Sequence, residues 1–270
     1  MNGERGSVLI IVLSVIATLA VMVGVLNATV RKSAWIARVE RQRVATQGVL
    51  DGGIEIAVQH LIRKDPALRW SGDGREYRVA TDDNVLSIRI RDVSGLIDIN
   101  RADEALIRGL IAQFASLSDA TVLTKRILDW RKPKLGVPAG VFLFASQISE
   151  VLNANAELIQ RISPFLTFYG RAGRVNPLTA PPEVLASLPL ISPGEVTALI
   201  QARQKGDLNG SDAEAILAKF DNFLDRGAPS IFIVTVEAGG PAILPSSRAE
   251  ATVLLGANEA VPYYVLAWSW

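Results

Sequence analysis

The sequence predicts an α+β protein in which a long N-terminal helix precedes an antiparallel sheet that a block of helices interrupts. Three observations carry that prediction. Residues 7–26 read SVLIIVLSVIATLAVMVGVL without a charge. Segments of period-two or β-rich character occur near residues 77–92 and again after residue 230. The stretch between them has helical periodicity, punctuated by proline and capping residues. At 270 residues the chain is long enough to bury a substantial core in one large or two small domains.

At about 1.5 Å per residue, the uncharged run matches a hydrocarbon core about 30 Å thick, so residues 7–28 read as a transmembrane segment. A cleaved secretory signal fits less well, because its apolar region is shorter and ends at a small-residue site. Here the run continues into helix-forming sequence instead. Ala34, Ala37, Val44, Ala45, Val49, Ile56 and Ile62 recur at roughly helical spacing and extend the N-terminal helix over residues 7–63. Gly48, Gly52 and Gly53 mark a kink or a close packing contact within it. Arg31, Lys32, Arg38, Arg41 and Arg43 follow the span, whereas only Arg5, offset by Glu4, precedes it. By the positive-inside rule that balance would put the large domain in the cytoplasm.

In residues 77–92, Leu86, Ile88 and Ile90 alternate with Ser87, Arg89 and Arg91, and Asp82, Asp83 and Asn84 supply a turn, giving a half-buried hairpin. Helical runs follow at 102–114, 118–130, 146–162, 180–188, 193–204 and 212–220. Ser118 and Asp119 are placed to cap the second, Pro181 and Pro182 to open the fourth, and Pro193 to occupy a first helical turn. Strand character returns at 230–238, 248–256 and 261–270, with turns at Gly239, Gly240 and Pro241 and at Gly256, Ala257 and Asn258. The expected division is therefore a sheet from residues 70–99 and 229–270, with a helical insert over 100–228.

The chemistry available is narrow. There is no cysteine, which removes disulfides, thiolate nucleophiles and cysteine metal sites, and His60 is the one histidine. It reads as a surface or capping residue on the polar side of the long helix. Serines lack a Gly-x-Ser-x-Gly elbow or a paired base. A net charge of +1 supplies no phosphate-neutralising surface, so no nucleic acid is expected. Asp82, Asp83, Asp92, Asp98, Asp103, Glu104 and Asp129 form no calcium loop of spaced carboxylates ending in a bidentate glutamate, and read as solvated turn residues. Tyr263, Tyr264, Trp268 and Trp270 serve equally as a partner surface or as an ordinary terminal strand.

The leader MNGERG, ending in glycine just before the apolar helix, resembles the type IV prepilin and pseudopilin signal. The resemblance implies a cytoplasmic leader at residues 1–6 and cleavage by a membrane prepilin peptidase between Gly6 and Ser7. It also implies a single-pass inner-membrane protein with a periplasmic domain, against the charge count. Most such subunits carry glutamate at the fifth mature position, where it pairs with the N-terminal amine of the subunit ahead; Ile11 stands there in this chain.

Loss of that glutamate resembles the K-type minor pseudopilin of type II secretion, the general secretion pathway protein K family. GLIDIN (95–100), ILDWRKP (127–133), SQISEVLN (146–153) and RVNPLTAPPEVLASL (174–188) extend the resemblance along the chain. It points to Asn100, Asp129, Trp130, Asn176, Thr179, Ala180 and Pro181 as motif positions of the insert. Pro177 and Leu178 depart from the family pattern. The implied fold is a long helix, a pilin-like sheet and a large helical insertion between strands. The implied function is to cap or initiate a pseudopilus tip with other minor pseudopilins and the major pseudopilin, supporting protein export across the outer membrane. No cofactor is expected. Calcium occurs in relatives, but Arg131, Lys132 and Lys134 stand here where relatives add acidic residues after Asp129 and Trp130. Asn176 and Thr179 are expected to satisfy backbone groups at a turn and a helix start.

The alternative is a membrane-anchored DNA-binding protein of the competence type. Residues 188–200, LPLISPGEVTALI, resemble a helix-hairpin-helix, but Leu190 and Ser192 replace its glycines. A leucine side chain disfavours positive φ and obstructs a phosphate, so helix packing is the expected role.

Overall fold

The structure is a computed structural model and describes residues 3–81, 84–133, 138–240, 247–258 and 261–270, with side chains omitted at 3–11 and 257–258. The turn assigned to Asp82 and Asp83 therefore lies outside the described residues, as do Lys134 and Pro241.

Helix α1 (Gly3–Leu61) is continuous, as its unbroken run of helix-compatible residues requires. From Val12 to Arg41 its side chains are exposed, and burial starts only at Thr46. Leu50, Ile54, Ala57, Val58 and Leu61 then form a stripe at helical spacing that lies against the sheet. Gly53 is the close contact anticipated among the helix glycines: a Cβ there would stand 2.6 Å from Val236 Cγ1. Gly48 and Gly52 face open space.

The sheet comprises β1 (Asp73–Ala80), β2 (Val85–Asp92), β5 (Ile231–Gly239), β6 (Ser247–Asn258) and β7 (Val261–Ser269), in the order β1-β2-β5-β6-β7, and all neighbours are antiparallel. Alternation in β2 points Leu86, Ile88 and Ile90 inward, where they meet α1 together with Phe232, Val234 and Val236 of β5, and it buries Asp92 at the end of the strand. Asp92 pairs directly with Phe232, so the strands on either side of the long insertion are neighbours with their register intact. The α+β class, with helices inserted between sheet strands, is the architecture observed.

Between β2 and β5 lie β3 (Ile97–Asp98), α2 (Glu104–Ala112), α3 (Leu117–Arg131), α4 (Ala145–Leu152), α5 (Ala156–Ile162), β4 (Leu166–Thr167), α6 (Pro182–Leu185), α7 (Pro193–Gln204) and α8 (Ser211–Ala218). They enclose a second core, separate from the one beneath the sheet, that includes Ile97, Ile99, Leu106, Leu110, Ile127, Phe142, Ile148 and Val184. Strand β2 ends at Asp92, and Ile97 and Ile99 already belong to this second core.

Two local expectations are corrected. Helix α3 is capped by Ser116, whose Oγ accepts from Asp119 N at 3.1 Å, rather than by Ser118, so it begins one residue before Ser118. The run 146–162 is two helices, because Asn153 takes φ 44° and ends α4, while Asn155 caps α5. Asparagine tolerates that left-handed conformation, and the helical spacing of its neighbours concealed the break. The two-residue parallel pair β3-β4 had no signal in local periodicity.

Candidate functional site

At the head of α1, Gly6, Ser7 and Ile11 are helical in backbone, and their side chains lie outside those described. Beyond them α1 contains an apolar window of mean hydropathy 2.1, none of it buried in the protein, so its length and composition are compatible with a single-pass anchor.

The motif residues of the insert gather at two polar junctions. At the first, Asp92 is 2% exposed and closes β2. Its Oδ1 accepts from Ser94 N at 2.8 Å, and its Oδ2 accepts from Thr179 Oγ1 at 2.7 Å, from Asn176 Nδ2 at 3.5 Å and from Ser94 Oγ. Asn176 is buried as well; its backbone N–H donates to Ser94 O, while its Oδ1 accepts from Leu178 N at 3.0 Å. Asn176 therefore serves a turn, as its type suggests, but Thr179 donates to a carboxylate instead of capping a helix. Gly95 makes the approach feasible, since a Cβ there would stand 2.7 Å from Thr179 C. Ala180 is fully buried, and its carbonyl accepts from Arg203 Nη1 at 2.7 Å. Pro181 is the N-cap of α6 and Pro182 its first residue, the expected opening.

The second junction holds the loop after α3. Asn100 Nδ2 donates to Phe142 O at 2.9 Å, and Phe142 N donates back to Asn100 Oδ1 at 2.7 Å, imitating a strand pair. Arg131 donates from Nε to Ile99 O at 2.7 Å and from Nη1 to Ala102 O at 2.8 Å. The Trp130 ring covers Gly140, whose N–H donates to Trp130 O at 2.9 Å, while Asp129 pairs with Lys132 at 3.5 Å in solvent. Asp98 accepts from Asn100 N through Oδ1, but its buried Oδ2 has no hydrogen-bond partner among the described residues. Burial therefore holds its carboxyl above the ordinary value, despite the nearby Arg101 and Arg131 charges.

These contacts correct the expectation of solvated turn carboxylates at two positions: Asp92 and Asp98 are buried, because the turns they close are covered by the insert. Asp103 caps α2, and Glu104 is exposed beside Arg108. Among the described residues no three His, Asp or Glu side chains are grouped to hold a metal ion.

His60 also differs from a free surface residue. Its ring stacks on Trp70 at 4.0 Å, which stacks in turn on Tyr77 at 4.2 Å, and Nδ1 lies 3.1 Å from Leu68 O. The stack ties the end of α1 to β1.

In the α6-α7 hairpin, Leu190 adopts φ 64° and is fully exposed, contrary to the expectation that its Cβ would keep it from positive φ. The hairpin backbone is thus the kind that glycine favours, formed here without one. A phosphate at the following helix start would nevertheless meet Glu195. That side chain accepts from Ser192 N and completes a capping box, and hydrogen bonds from Lys219 and Ser192 hold its carboxyl down to about 2. Like-charge repulsion makes this hairpin a poor phosphate site.

The terminal aromatic set divides. Tyr263 and Trp268 pack against the sheet core, whereas Tyr264, Val265 and Leu266 are exposed on edge strand β7 and Trp270 is exposed just beyond its end. Tyr263 also donates to Glu55 of α1, a bond that, with burial, pushes its phenol up to about 12. A second exposed apolar group, Val141, Leu143 and Phe144, was missed in the sequence. Its signal was the apolar run VFLF after a Pro-Ala-Gly turn. Together these surfaces suit contact with other proteins more than chemistry on a small molecule.

No family model matches the chain, and no curated protein matches it. Among solved structures, a chain in the crystal structure of the GspK-GspI-GspJ complex from the enterotoxigenic Escherichia coli type 2 secretion system has the same fold. The TM-score is 0.62 at 12% identity, and the match covers 86% of this chain and 98% of that one.

Proposed function

We propose that the chain is a K-type minor pseudopilin, built to assemble rather than to catalyse, and that it caps or initiates a type II secretion pseudopilus. The observation that carries this reading is the fold shared with nearly the whole of a chain from a complex of that secretion system. Because 12% identity speaks for fold alone, the functional step rests on the N-terminal signal as well.

In this reading residues 1–6 stay cytoplasmic, and prepilin peptidase cuts between Gly6 and Ser7. Helix α1 anchors the mature chain in the inner membrane, and the sheet and insert are periplasmic. Ile11 offers no carboxylate to the amine of a subunit ahead. An internal subunit lacking it would leave an ammonium unpaired in lipid, at a cost of about 2–4 kcal/mol, whereas a tip subunit has nobody ahead to satisfy. Apolar helix packing in the membrane drives association with other minor pseudopilins and the major pseudopilin.

Coexpression with an active prepilin peptidase is expected to yield a mature N-terminus at Ser7 by mass spectrometry, and a bulky residue in place of Gly6 should block processing. An N-terminus still at Met1, with a control substrate cleaved in the same cells, would count decisively against the assignment.

A further inference from the structure

We propose that the exposed segment of α1 spanning residues 31–43 is a binding site for anionic phospholipid headgroups. It depends on α1 spanning the membrane, but not on which side the domain occupies. Arg31, Lys32, Arg38, Arg41 and Arg43 are all exposed and form no ion pair among the described residues. Glu40 is the single acidic residue in the segment.

At about 100° per residue, Arg31, Trp35 and Arg38 share one face of the helix, with Arg41 and Lys32 flanking it. Glu40 lies about half a turn away from Arg31. Trp35 is 66% exposed in the middle of the basic face, an amphipathic ring placed where interfacial aromatics anchor a span.

Position supplies the second argument. The charged segment follows the uncharged span directly, and the first buried side chain of α1 comes only at Thr46. Residues 31–43 therefore bridge membrane and folded domain with their charged side chains exposed. The headgroup layer is about 5–8 Å thick on each side. Arg31 and Lys32 stand within it, and Arg38 lies about 12 Å beyond residue 30.

Helical side chains lean toward the helix N-terminus, which in α1 means back toward the membrane. That lean brings the long Arg38 side chain down to the phosphates, and a modest tilt adds Arg41. Cations near an anionic surface each favour it roughly fivefold.

The test uses the full chain reconstituted in phosphatidylcholine vesicles doped with spin-labelled phosphatidylglycerol or spin-labelled phosphatidylcholine, reading the motionally restricted fraction of each. The native chain is expected to prefer phosphatidylglycerol by about three- to tenfold. A chain carrying Arg31→Gln, Lys32→Gln and Arg38→Gln should fall close to a ratio of one, as should the native chain in about 1 M salt, where screening shortens to about 3 Å. All three positions are exposed, so the substitutions leave both cores intact. A native ratio of one, or a preference that survives the triple substitution, overturns the headgroup site. So does a result in which the triple variant loses only its association with other pseudopilins, because the basic face would then serve an acidic protein surface. Failure of the chain to float with the vesicles overturns the membrane span and the headgroup site together, whereas flotation with a ratio of one overturns the headgroup site alone.

Discussion

Asp92 illustrates how a single side chain ties two parts of the chain together. It is buried at the end of β2, and donors 84 and 87 residues further along satisfy it. Thr179→Val keeps the shape but removes one donor to a buried carboxylate, so it is expected to cost about 1–3 kcal/mol in urea unfolding. Most of that loss should vanish when Asp92→Asn is already present, as a double-mutant cycle would reveal.

Asp98 presents the opposite case, because burial raises its carboxyl above the ordinary value of 3.8. The folded chain then holds that proton more tightly than the unfolded chain does, so ionisation destabilises the fold at neutral pH. The penalty is relieved as pH falls through the raised value toward the ordinary one. Asp98→Asn has no such proton. Native stability relative to this variant should therefore rise between about pH 7 and about pH 4, read from urea midpoints; a constant difference would contradict the assigned direction.

Among the elements, the existence of the long helix and the strand alternation were legible because their period is local. The buried stripe of α1, Leu50, Ile54, Ala57, Val58 and Leu61, contains none of the residues whose spacing extended the helix, and the capping box of α7 went unread, whereas the inward residues of β2 were legible from neighbours within a few positions. The break at Asn153 and the pair β3-β4 were not, since one depends on a single φ and the other on strands 69 residues apart. Gly95 belongs with the second group: nothing nearby in sequence announces that Thr179 passes against it. A methyl group at Gly95 would stand 2.7 Å from Thr179 C and 2.9 Å from Ala180 N, both backbone atoms that cannot swing aside. Gly95→Ala is therefore expected to lower stability by about 1–3 kcal/mol. It should also perturb Thr179 and Ala180 amide resonances more than those of α1.

At the scale of the molecule, the Asp92 junction links the end of β2, whose strand packs in the core beneath the sheet, to the insert with its separate core. Asp92 and Phe232 are paired neighbours in the sheet. A chain in which Asn-Gly replaces residues 93–231 would close β2 and β5 as a tight hairpin. With Asp92→Asn added to remove the buried carboxylate, it should keep β-sheet circular dichroism and a cooperative unfolding transition. Loss of cooperativity would mean that the sheet depends on the insert for its core.

The sequence by itself determined the apolar helix, the alternating strands and most of the insert's helices, because each is written in the spacing of adjacent residues. Asn176 and Thr179 were singled out there too, but their common target was not visible. Only the tertiary structure decided that Asp92 and Asp98 are buried, that His60 is held in a ring stack, and that Val141, Leu143 and Phe144 face outward. Burial of a given side chain depends on what distant segments bring over it, and local periodicity records the face a residue prefers without recording what comes to cover that face.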